Sequence, residues 1–235
     1  MTTTALKASS HLRKVFPIYP TTFDPFQRPY QNGFHVTLRP EMLQEPFSYA
    51  EPALVFGNSM ADWFHKDVPY SYVDMMLGVM NDCPTHHFQM LTKRADQMKD
   101  YFTCRTVPDN VWLGVSVENR SQGVPRIQHL QAIKTSGVRW LSVEPLLEDL
   151  GMLDLDGIDW VVAGGESGGK AVRPMNINWV RSIRDQCVDR GIAFFFKQWG
   201  SFNHDGVFHQ KGNGQMLDGR EWNEFPTTTF RAHER

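Results

Sequence analysis

Six short, almost wholly apolar runs recur along the middle of the chain: Ala53 to Phe56, His87 to Leu91, Val111 to Val115, Val138 to Val143, Trp160 to Ala163 and Ala193 to Phe196. A strand with one wet face alternates polar and apolar residues, whereas a strand covered on both faces reads as a continuous apolar run. These six read as covered strands. Between them apolar residues return every three or four positions: Val73, Met76, Leu77 and Met80; Ile127, Leu130 and Ile133; Val180, Ile183 and Cys187. The last of these helical segments opens on Asn178 as N-cap and stops at Gly191. Strand alternating with helix predicts parallel βα units wound by right-handed crossovers. The fold class expected is α/β, a partial (β/α) barrel of about six parallel strands.

The two ends lie outside this repeat. Residues 1–50, with runs such as Phe16-Pro17-Ile18-Tyr19-Pro20, are expected to form an irregular arm packed on the barrel of residues 51–200, with Phe16, Tyr19, Phe23 and Phe26 covering its open side. Residues 201–235 carry turn signals at Asp205-Gly206, Asn213-Gly214 and Asp218-Gly219, the pattern of a hairpin flap and a loose tail. A length of 235 residues fits one domain overall. A formal charge of −2 excludes a partner attracted by net positive charge, though not a local basic patch. No apolar run is long enough to span a bilayer and the N-terminus lacks a signal peptide's apolar stretch, so no membrane partner is expected and the reading is cytoplasmic. Cys83, Cys104 and Cys187 are too scattered for a cluster motif and too few for a disulfide framework.

Each apolar run stops at a polar residue. In order these are Asn58 with Asp62, Lys93, Glu118 with Asn119, Glu144, Glu166, and Lys197 with Gln198. Parallel topology sends all strand ends to one rim, where α/β folds bind ligands. These nine residues are therefore the candidate ligand site. The segment from Gly164 to Lys170 is no P-loop, since the GxxxxGK[ST] spacing fails; an anion-binding turn and a plain tight turn both fit it. His86, His87, His204 and His209 lack ligand spacing, and no metal site is expected.

These strand ends lie in motifs. Phe56-Gly57-Asn58-Ser59-Met60-Ala61-Asp62-Trp63-Phe64-His65, Phe88-Gln89-Met90-Leu91-Thr92-Lys93-Arg94, the run Val111 to Asn119, Leu141-Ser142-Val143-Glu144-Pro145, Gly164-Gly165-Glu166-Ser167-Gly168 and Phe195-Phe196-Lys197-Gln198-Trp199-Gly200 resemble, in order and spacing, a family of phage and bacterial proteins related to radical S-adenosylmethionine enzymes. The likeness covers roughly residues 30–226, with Leu217 to Trp222 resembling the family's ending. It implies a partial barrel, a [4Fe–4S] cluster on three cysteines near the N-terminus, and S-adenosylmethionine across the strand ends, its ribose near Glu118 and Asn119. The three-cysteine motif should precede the Phe16-Pro17 region, yet no cysteine occurs before Cys83. Either the first βα unit is lost or the start lies inside a longer protein; Met1-Thr2-Thr3-Thr4 favours a natural start.

The function expected is therefore that of a cluster-less, phage-encoded relative acting as a binding or host-interaction protein in the host cytoplasm with a retained charged pocket. Its partner would be a host protein or nucleic acid, or a nucleotide-like small molecule. The alternative is an enzyme that binds S-adenosylmethionine or a similar ligand and uses non-radical acid–base chemistry, the [4Fe–4S] cluster not being expected. Such a cluster needs three thiolates on one loop, which Cys83 and Cys104, in different βα units, cannot supply. Protein supplied with iron and sulfide under anaerobic conditions is expected to stay colourless; a stoichiometric absorption band in the blue would contradict this.

Overall fold

The computed structural model describes residues 12–14, 18–19, 36–57, 61–169, 171–209 and 213–227. The expected arm region carries β1 (Leu12–Lys14), β2 (Ile18–Tyr19), β3 (Thr37–Leu38) and a 3₁₀ helix (Pro40–Ser48). Then follow β4 (Leu54–Phe56), α1 (Tyr70–Asp82), β5 (His87–Thr92), α2 (Ala95–Phe102), β6 (Val111–Ser116), α3 (Pro125–Gln131), β7 (Arg139–Val143), β8 (Trp160–Gly164), α4 (Ile177–Arg190) and β9 (Ala193–Gln198). A hairpin of β10 (Met216–Leu217) and β11 (Arg220–Glu221) comes last.

The six expected strands are all present, and β4 to β9 pair in sequence order. That single winding direction is the topology of a partial β/α barrel; a doubly wound sheet would reverse its strand order. The arm is less irregular than expected, because β1 pairs parallel to β4 as a seventh strand at the edge. The expected packing of Phe16, Phe23 and Phe26, and of the Tyr19 side chain, lies outside the described residues, as does any tail beyond Thr227.

The helices carry two corrections. The α4 cap is Asn176, whose Oδ1 accepts the Asn178 amide at 2.8 Å, so Asn178 already belongs to the first turn. Of the two asparagines it is Asn176 that has the extended backbone an N-cap needs, while Gly191 ends the helix in the left-handed region as expected. Helix α2 had no reading from periodicity: it is short and mostly polar, burying only Ala95, Met98, Tyr101 and Phe102.

The chain falls into two compact units: one of the described residues up to Leu113 with 134–137, the other of 114–133 and 138–227. In the first, the Asn110 side-chain amide donates to the carbonyls of Met80, Cys83 and His86 at 2.8 to 3.1 Å and fastens the end of α1 to the entry of β5. In the second, the turn Asp218-Gly219 takes positive φ at both residues, as a two-residue hairpin requires. Asp218 then accepts hydrogen bonds from Arg181 and Arg184 of α4. The residues after β11 are not loose: the Phe196 amide donates to Trp222 at 2.7 Å, Glu224 to Phe194 at 3.2 Å, and Asn223 bridges Phe195 antiparallel. They form a short antiparallel edge on β9, satisfying backbone groups an open edge would leave exposed.

Burial in β5 pushes the His87 imidazole down to about 4, neighbouring His86 adding to it. A folded pKa below the unfolded value near 6.5 means the unfolded chain binds the proton first. Stability is therefore expected to be full above about pH 6.5 and to decline as pH falls toward about 4. Urea midpoints across that window should slope down with acid in the wild type and less steeply in His87→Phe; equal slopes would contradict the assignment.

Candidate functional site

In the second unit strand pairing sorts side chains into layers. Trp140 lies beside Trp160 and Ser142 beside Val162 across β7 and β8; Trp160 lies beside Ala193 and Val162 beside Phe195 across β8 and β9. The Val117 amide donates to the Ser142 carbonyl at 2.8 Å, which in a parallel ladder sets Ser116 alongside Ser142. Side chains two residues apart share a face. One face thus carries Trp140 and Trp160 in its lowest layer, Ser116, Ser142 and Val162 in the middle, and Glu118 and Glu144 at the carboxyl ends. The other presents Val115, Leu141, Val143, Val161, Ala163, Phe194 and Phe196, all fully buried, as are Ile127 and Leu130 of α3 and Val180, Ile183 and Cys187 of α4.

Aromatic rings close the lower end of the first face. Trp140 tilts against Trp160 at 5.5 Å, and Phe225 packs on Trp160 at 5.0 Å and on Phe195 at 5.5 Å. Gly114 makes this possible: a Cβ there would sit 2.3 Å from the Trp140 indole, so the ring lies directly on the strand backbone.

At the upper end the candidate residues group around separate carboxylates. Glu144 accepts from Lys197 Nζ at 2.7 Å and from Gln198 Nε2 at 2.9 Å, and Gln198 Nε2 also donates to Ser167 Oγ at 2.9 Å. Consecutive residues of a regular strand point to opposite faces, so Lys197 and Gln198 should not both reach one carboxylate. They do because β9 shifts register here: Ala163 pairs with Phe196 but Gly164 with Gln198, leaving Lys197 as the extra residue of a bulge. Gly164 leaves room for the carboxylate, which would lie 3.2 Å from any Cβ added there.

Glu118 bonds Arg126 Nη1 at 2.6 Å, and the same nitrogen donates to the Ser116 carbonyl. Glu166 binds Arg173 through Nε, Nη2 and its backbone amide, which hold the Glu166 carboxyl well down at about 2. Asn119 Oδ1 accepts the Gln122 and Gly123 amides and shapes the turn into α3. The structure thus joins Glu144, Lys197 and Gln198, while Glu118, Asn119 and Glu166 take partners of their own. In the first unit Asp62 accepts from Thr92 Oγ1, the Phe64 and Lys93 amides and Arg94 Nη1, all within 3.0 Å. Asn58 lies outside the described residues.

The glycine-rich turn behaves as a plain tight turn. The Gly165 amide donates to the Gln198 carbonyl and the Gly168 amide to buried Ser201 Oγ. A Cβ on Gly165 would stand 2.0 Å from the Trp199 carbonyl oxygen, so close backbone packing requires glycine there. Cys83, just after α1, and Cys187, within α4, are buried, while Cys104, in the loop after α2, is exposed, a donor set that does not fit an iron-sulfur cluster. Among the described residues no group of three His, Cys, Asp or Glu is placed to hold a metal ion.

The arginine partners were absent from the sequence reading, and so was the serine layer. The signal for the serines was there: Ser-Val-Glu occurs twice, at 116–118 and 142–144, ending two adjacent strands. A family model described as "Protein of unknown function (DUF5131)" matches residues 14–226. No curated protein matches the chain, and no solved structure matches it.

The ion pairs differ in what they do for the fold. Glu118 and Arg126 have side chains 9% and 16% exposed, so losing one leaves a buried charge, whereas Glu144 and Lys197 are 18% and 52% exposed. Glu118→Ala is expected to destabilise by about 3 kcal/mol and Lys197→Ala by less than about 1 kcal/mol, read as urea unfolding free energies. Comparable losses at both positions would contradict this division.

Proposed function

Since the chain belongs to the DUF5131 family, whose description assigns no activity, we propose its role from the residues themselves: a cluster-less relative of radical S-adenosylmethionine proteins that binds a nucleotide-like small molecule at the strand ends of its second unit. The observation that carries this reading is the Glu144, Lys197 and Gln198 constellation. It sits at the carboxyl ends of parallel strands, above an aromatic-floored face, and its lysine is half exposed, where an ion pair contributes little stability. A polar group kept where stability does not need it is available for a ligand. S-adenosylmethionine is the ligand that the motif resemblance favours.

Glu166, held at about 2 by Arg173, is poorly suited to act as a general acid or base near neutral pH. Isothermal titration of the purified chain with S-adenosylmethionine is expected to show one site, weakened about tenfold or more in Lys197→Ala, which removes a charged donor. Absence of binding, or equal affinity in wild type and variant, would refute the reading. Capture of a host protein or nucleic acid unaffected by Lys197→Ala would favour the host-interaction alternative.

A further inference from the structure

We propose that the first unit carries a binding pocket for a small neutral molecule with an apolar body and one hydrogen-bond acceptor, a short ketone or ester in type, which the Trp63 indole recognises. The site lies wholly within that unit and does not rest on the strand-end reading of the second. Its wall is formed by Met42 and Pro46 of the 3₁₀ helix, Val55 of β4, Met76 and Met80 of α1 and Phe88 of β5, around about 310 Å³ of space counted out to the open mouth. Trp63 lines the same pocket and is fully buried, yet among the described residues its Nε1–H has no hydrogen-bond partner. A buried indole N–H usually finds an acceptor, so this one calls for a partner that the chain itself does not supply.

The ring is held in place from both sides. Asp62 accepts the Phe64 amide at 3.0 Å and the Thr92 hydroxyl at 2.6 Å, the His65 amide donates to the Asp62 carbonyl at 3.1 Å, and Phe64 packs edge-on against Tyr101 at 5.5 Å. A Cβ on Gly57 would collide with the indole, so glycine lets the ring lie against the end of β4. Gly57 and Trp63 both belong to the Phe56 to His65 motif, and the strand-end site of the second unit uses neither. The wall decides what the partner is. A bridging water needs two or more polar partners, and the lining side chains offer the one indole N–H. An anion would be buried without a cation, since among the described residues no charged side chain lines the pocket. A neutral acceptor on an apolar body satisfies the donor and keeps hydrocarbon against hydrocarbon. Met42, Met76 and Met80 let the wall adapt to that body, and a space near the lower end of ordinary ligand pockets, roughly 300–1,000 Å³, keeps it short.

The probes are methyl propyl ketone and its alkene isostere, in which a methylene replaces the carbonyl oxygen, titrated into the whole chain and followed by the NMR methyl signals of Met76 and Met80. The ketone is expected to bind saturably, to move the Trp63 indole proton downfield and to bind more tightly than butyrate. In Trp63→Phe the ketone-to-alkene affinity ratio is expected to fall about five- to tenfold, a ratio in which the change of ring size cancels. Val79→Phe, at a half-buried position on the pocket wall, is expected to weaken both probes about tenfold or more with the melting temperature little changed. Where Trp63→Phe fails to fold, the indole shift in the wild type and its loss in Val79→Phe carry the test. The inference is overturned if neither probe binds, if the ratio is unchanged in Trp63→Phe, if Val79→Phe binds as the wild type does, or if butyrate binds as tightly as the ketone.

Discussion

The two-residue repeat of the pleat is the constraint on which the second unit depends. Because neighbouring side chains alternate between faces, one strand can bury Leu141 and Val143 on one side while presenting Trp140, Ser142 and Glu144 on the other. A slip of one residue in β7 would bring Ser142 and Glu144 into the layer occupied by fully buried apolar residues. The apolar face therefore fixes the register, and the register fixes the height of every polar group.

The layering follows from side-chain volume. Indoles fill the lower end, and Gly114 lets one of them lie flat against a strand. Ser116, Ser142, Val162 and Phe195 follow in the middle, and long charged residues stand at the carboxyl ends, where partners come from outside the sheet: Arg126 from the first turn of α3 and Arg173 from the segment before α4. Indoles, then two serines with Val162 and Phe195, then charged groups thus succeed one another along the strands.

Much of this was legible in the chain. The six strands were visible as continuous apolar runs because both of their faces are covered, and α1 and α4 because their buried positions recur cleanly. Helix α2 was not, because four buried residues among polar ones leave too weak a period. Strand β1 is three residues long and is defined by pairing with β4, which no local pattern encodes. The rim was foreseen in outline, since polar residues do close each run, but the sequence could not divide it into separate ion pairs. Which carboxylate meets which cation depends on loop geometry and, at Lys197 and Gln198, on a register shift.

That shift has an evolutionary consequence. Lys197 is an inserted residue in an otherwise regular ladder. Losing its codon would realign Gln198 with the pleat and leave β9 continuous, taking away one of the two donors to Glu144. Relatives that differ by this one length change would share the scaffold and part company in what they recognise, so a gap at this position in a pairwise alignment would mark a change of ligand sooner than a change of fold.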